Sequence, residues 1–252
     1  MKTLPALLAA AILGFTLATA HAQPGPGNPS GQARPGPDFS GYLSQLFAGN
    51  PAYTANLEFH SYGATTGNAV TVQGKLAYLN GKTRFEMDMS DAGDANLPRQ
   101  DASSLKQMGM DTMISISCPD RQANYYVYPG MRAYVRRTIP APEATATAAP
   151  YKVEVTQVGD ENLQGQNCVK NKIVATGPDG IPHESTVWSA TDMNKFPIKI
   201  ETSQYGATVV MIFKDLKFDK PDAAQFDPPV GYKMYDNFMS LMSSRAGTQA
   251  SQ

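Results

Sequence analysis

The chain has 252 residues, 21 Lys and Arg against 22 Asp and Glu for a formal net charge of −1, and 42% hydrophobic residues. A balance so close to neutral gives no electrostatic footprint for nucleic acid or an anionic membrane surface. Two cysteines and three histidines leave little material for a metal centre and exclude a cysteine-rich scaffold.

Lys2 supplies a short positive start, Leu4 to Ala20 an apolar stretch, and Ala20-His21-Ala22 small residues at both cleavage-recognition positions. This is the pattern of a signal peptide over residues 1–22, cleaved near Ala22. The stretch is interrupted by Pro5 and Gly14 and falls short of the ~20 apolar residues of a membrane span. The mature chain is therefore expected to be periplasmic or secreted, with no transmembrane segment. Removing Lys2 leaves 20 basic against 22 acidic residues, a net charge of −2. Residues 23–37 hold five prolines, four glycines and no large apolar side chain, so a flexible arm is expected there.

Phe39, Tyr42, Leu43, Leu46 and Phe47 recur at helical spacing between a candidate N-cap, Asp38, and a candidate stop, Gly49. From Ala52 the period becomes two. Asn56 to His60 sets Leu57 and Phe59 on one face, and Val70 to Leu79 runs into the hairpin signal Asn80-Gly81. Lys82 to Met89 follows, with Phe85, Met87 and Met89 inward and Arg84, Glu86 and Asp88 outward. Further strands are predicted at 113–118, 124–128, 132–137, 152–158, 167–175, 184–190, 197–203 and 207–218, separated by turns such as Pro119-Asp120 and Pro129-Gly130. Pro98 to Gly109 reads as a short helix and Ile139 to Pro150 as a surface loop. The order predicts one α+β domain over 38–242, a large antiparallel sheet curled over helices, followed by a polar tail at 243–252.

Cys118 and Cys168 share an oxidising compartment and lack metal spacing, so a disulfide is expected. Closing its loop of 50 residues would stabilise the fold by roughly 4 kcal/mol. The inward alternates Leu57, Phe59, Phe85, Met87, Met89, Ile114, Ile116, Ile198, Ile200, Met211 and Phe213 are the candidate ligand-binding residues of an apolar cavity. Ordinary core packing explains the same residues, and the adaptable methionines favour binding only slightly. The pairs Met87/Met89 and Met108/Met110 also suggest soft copper ligands, but packing on one strand face explains the first and no histidine lies near either. His60 and His183 sit on polar strand or turn positions, and Gly-x-Ser-x-Gly, His-Glu-x-x-His and phosphate-binding loops are missing. No catalytic residue, metal site or cofactor is assigned. Tyr125, Tyr126, Tyr128 and Tyr134 form the densest aromatic group, readable as cross-strand packing or as a contact surface.

Three stretches, Gly81 to Glu86, Asp111 to Tyr134 and, most specifically, Asp222-Ala-Ala-Gln-Phe-Asp-Pro-Pro-Val-Gly231, resemble the periplasmic outer-membrane lipoprotein carrier (LolA/LolB-like) superfamily. The resemblance spans residues 39–235 and implies an incomplete antiparallel barrel whose concave face is covered by helices. Such a protein binds a lipid, an acyl chain or an acylated partner such as a lipoprotein, and is not an enzyme. No residue matches the arginine that such carriers tie to lid closure, so the resemblance implies an exported relative rather than a carrier. The alternative is an envelope interaction or sensor module that uses the sheet as a scaffold for a protein partner, through the arm and the Tyr125–Tyr134 hairpin.

Overall fold

The structure, a computed structural model, describes residues 46–47, 49–62, 69–88, 99–139, 152–176, 180, 182–204 and 207–249. The expected signal segment, the arm, most of the first helix, Met89 and the loop after Ile139 lie outside the described residues. Alternating side chains and two-residue turns build the strands in series: β1 (Ala52–Tyr62), β2 (Ala69–Leu79), β3 (Lys82–Asp88), β4 (Thr112–Cys118), β5 (Ala123–Tyr128) and β6 (Ala133–Thr138). After the loop come β7 (Lys152–Leu163), β8 (Gln166–Thr176), β9 (Pro182–Ala190), β10 (Pro197–Gln204), β11 (Ala207–Lys217) and the short β12 (Lys233–Tyr235). The described helices are α1 (Arg99–Met108) and α2 (Phe238–Gln249).

Turn chemistry fits the residues that make it. Asn80 and Gly81 both have positive φ, 47° and 87°, as the two central positions of a tight hairpin turn require. Gln164 and Gly165 do the same between β7 and β8, at 54° and 84°. The turns Pro119–Arg121 and Pro129–Met131 are single 3-10 turns that open on proline and close on the left-handed residues Gln122 and Arg132. Gly109, just past α1, meets Gly130 so closely that a Cβ on either would lie under 3 Å from the other's backbone.

All twelve strands form one open sheet in the order β12-β6-β5-β4-β3-β2-β1-β11-β10-β9-β8-β7. Neighbours are antiparallel except β12, which runs parallel to β6. The sheet is therefore mixed rather than wholly antiparallel, because the chain reaches the β6 edge by a long crossover from β11. An unclosed sheet of this size fits an incomplete barrel. Helical cover among the described residues is partial: α2 packs over one end through Phe238 and Leu241, and α1 reaches the Pro129–Met131 turn.

The expected disulfide does not form, and both cysteines are free and buried. Cys118 lies on β4 and Cys168 on β8, seven strand steps apart. At ~4.8 Å per step that is roughly 34 Å along the sheet, whereas bridged Cα atoms lie within about 7 Å.

Candidate functional site

Strand register sorts the candidate residues between the two faces of the sheet. Leu57 stands opposite Phe213, and Phe59 opposite Met211. Met211 in turn stands opposite Ile200, and Ile200 opposite Val187. On the other side of β1, Leu57 faces Gly74 and Phe59 faces Val72, while Gly74 faces Met87 and Leu76 faces Phe85. Cross-strand partners share a face, so these residues make one apolar face. Ile198, 8% exposed, sits at the register shift between Pro197 and Lys199, and strand pairing does not assign it to this face.

Ile114 and Ile116 do not belong to that face. They oppose Glu86 and Arg84, whereas the apolar-face partners of Phe85 and Met87 are Ser115 and Met113. The two isoleucines instead build a second core with Ala77, Leu79, Cys118, Tyr125, Val127 and the fully buried Phe226. They are apolar because the end of the sheet at β4 and β5 is covered on both sides, by the 3-10 turn Ala223–Phe226 on one and by α2 on the other. Met89 lies outside the described residues.

Tyr53, Val72, Leu76 and Met113 are apolar-face residues that the strand patterns alone did not single out, and Tyr126 and Tyr128 of the aromatic group join them. Phe47, the last apolar residue of the expected first helix, packs on Tyr53, Phe196 and Phe213 with ring centroids 5.8, 5.2 and 5.4 Å away. Phe85 lies over Gly74, where a Cβ would meet its ring at 2.7 Å, and it meets Phe59 edge-on at 5.4 Å. Burial raises the Tyr53 phenol well above its ordinary pKa, with neighbouring Tyr78 adding to the effect. Burial, then Tyr126, pushes Tyr128 up to about 12.

Polar residues also stand on this face, Ser115 on β4 and Asn124 on β5 among them. Ser185 and Thr202 stand opposite each other and are 4% and 6% exposed. Thr202 donates to the Glu184 carbonyl at 3.1 Å, while the Ser185 hydroxyl has no hydrogen-bond partner among the described residues.

The opposite face is a lattice of charge. Lys214 reaches Glu58 at 2.7 Å, Arg84 reaches Glu86 at 2.8 Å, and Lys172 reaches Glu184 at 2.9 Å. His60 sits among them, 3.0 Å from the Thr71 hydroxyl and 3.6 Å from Glu58. Trp188 also falls here, with Lys170 and Lys199 over its ring and its indole N–H donating to Glu161. The aromatic hairpin is consumed by packing: Tyr125 enters the core around Phe226, and Tyr126 and Tyr128 enter the core beneath α2. A cleft of about 470 Å³ at Gly49–Ala52, Asp192–Asn194 and Phe218 holds none of the candidate residues.

No family model matches the chain, and neither does any curated protein. Among solved structures it is similar to a LolA superfamily protein from Nitrosomonas europaea, at 8% identity and a TM-score of 0.36 over 71% of this chain and 90% of that one. It is similar to the Mycobacterium tuberculosis lipoprotein LppX at 9% identity and 0.38, over 69% and 90%. It is also similar to the Pseudomonas aeruginosa MucA/MucB complex at 12% identity and 0.36, over 75% and 60%. Among the described residues no helix is long and apolar enough to cross a membrane.

Proposed function

We propose that the protein is a non-enzymatic, exported envelope protein that takes an acyl chain, free or attached to a lipid or protein, across the apolar face of its sheet. The carrying observation is the continuity of that face across strands. One row runs Phe213, Leu57, Gly74, Met87, Met113, and the next runs Val187, Ile200, Met211, Phe59, Val72. Each row crosses five strands, about 19 Å from first to last, long enough to lay an extended hydrocarbon chain against it. Gly74 leaves room in the first row, and the thioethers of Met87, Met113 and Met211 adapt to ligands of varied shape. Ser185, buried with no hydroxyl partner among the described residues, offers a hydrogen bond to a polar end group.

Phe47 is 2% exposed against the aromatic residues of this face and closes its Tyr53 end.

Native mass spectrometry of protein purified from the exporting host, together with titration of a fluorescent fatty acid, tests this. Co-purifying lipid and saturable probe binding are expected. The half-buried Met87 sits inside the first row, and Met87→Glu should weaken the probe about tenfold or more by opposing apolar contact with a charge. A protein that is empty in the mass spectrum and indifferent to the probe overturns the reading.

A further inference from the structure

Strand β7 ends the sheet, paired with β8 on one side and with no described strand on the other. Its twelve residues include no buried side chain and no proline. Val155 and Val158 are 60% and 54% exposed. A long unpaired edge is a template for another strand, which proteins usually guard with prolines, short length or bulges. β7 carries a bulge, where its register against β8 shifts between Gln157 and Gly159, and four charged side chains, Lys152, Glu154, Asp160 and Glu161, which select the strand that can pair with it.

That bulge changes which residues share a face. Lys152 stands opposite Thr176 and Glu161 opposite Cys168, positions eight apart on β8, so both project to the charged face despite their odd spacing on β7. Val153 and Asp160, opposite Ala175 and Val169, share the other face. The strand is thereby self-complementary. An antiparallel copy in the register that sets Lys152 against the partner's Glu161 repeats the pair by two-fold symmetry, leaves Glu154 facing the partner's Gly159 and, with Val158 of each copy left out of the ladder at the bulge, centres on Thr156 with Val155 beside the partner's bulged Val158. Sliding by one residue sets Lys152 against the partner's Asp160, on the wrong face, and sliding two the other way sets Glu154 against the partner's Glu161.

Both charges can accept the contact. Lys152 is 78% exposed and, among the described residues, holds only Glu154, at 2.8 Å. Glu161 receives the Trp188 N–H at 2.8 Å and approaches Lys170 at 3.6 Å, both through Oε2, and its Oε1 has no partner among the described residues.

We propose that β7 is a dimerisation edge, with two copies of the chain joining antiparallel so that their sheets become continuous. Sedimentation of the full chain from low micromolar to submillimolar concentration tests it. A reversible dimer is expected. Lys152→Glu and Glu161→Lys should each weaken association about tenfold or more by setting like charges face to face, and the exchange K152E/E161K should restore it. Circular dichroism identifies folded variants, and Lys152 is exposed enough for its reversal to leave the fold intact. A chain that stays monomeric throughout, a dimer indifferent to K152E, or a folded double variant that stays monomeric overturns the proposal.

Discussion

Trp188 shows how far a residue's surroundings can depart from its type. Its strand, Pro182–Ala190, alternates clearly, yet the tryptophan projects to the charged face and is still only 3% exposed. Lys199 and Lys170 lie 4.0 and 4.8 Å from its ring centroid, so their stems and charges cover it where apolar side chains otherwise would. Its indole N–H donates to Glu161, and that bond, aided by nearby Lys170, holds the Glu161 carboxyl below its ordinary pKa. A depressed folded-state value means that the stabilisation is fully present above the unfolded glutamate pKa, about 4.3, and is lost as pH falls through the lowered value. Trp188 is the chain's single tryptophan, so its fluorescence reports the event. The emission should shift reversibly on acidification at a pH below the ordinary glutamate range, and Glu161→Gln should remove the step. A step at or above that range, or one that survives the substitution, contradicts the arrangement.

At the scale of elements, the chain after Lys217 acts as a strap around the β6 edge. The turn Ala223–Phe226 covers the charged face at β2 to β5, β12 lines the edge, and α2 covers the apolar face. Asp222 caps the turn by accepting from the Ala224 N–H at 3.0 Å, and Arg121 pairs with Asp227. Cys118 donates weakly to the Phe226 carbonyl at 3.4 Å. Phe226→Ala removes a fully buried ring and should cost about 3–5 kcal/mol, against about 1 kcal/mol for Asp222→Ala. Urea unfolding midpoints, with unchanged slopes, read both. Similar small losses for the two would mean that the clasp packs less firmly than its burial indicates. The sequence marked this segment through its resemblance to the carrier superfamily. Its crossing to the other face was not legible, because three residues of β12 carry no usable alternation and a parallel pairing leaves no local turn signal. The face of β4 was equally hidden: Met113, Ile114 and Ile116 are apolar on both parities because both sides are covered, and only pairing with β3 tells them apart.

Across the whole molecule, the strand series was readable because its period of two and its turn residues are local properties, whereas sheet order and the faces of covered strands depend on contacts far apart in sequence. The cysteine pairing failed for that reason. Cys118 and Cys168 looked like partners from compartment and number alone, but they sit seven strand steps apart in an open sheet. Burial is also the leading cause that raises both thiols above their ordinary pKa, which suppresses the reactive thiolate. Cys118 is 0% and Cys168 1% exposed, so a thiol reagent must wait for local or global opening. The native protein should therefore react slowly with a colorimetric thiol reagent and release two equivalents promptly in denaturant, matching the two cysteines of the sequence. Reductant should leave its melting temperature unchanged, since no covalent loop constrains the unfolded chain. Loss of both equivalents in denaturant, with a melting temperature that falls on reduction, would instead require β4 and β8 to meet, and so a sheet rolled far beyond the open order of its strands.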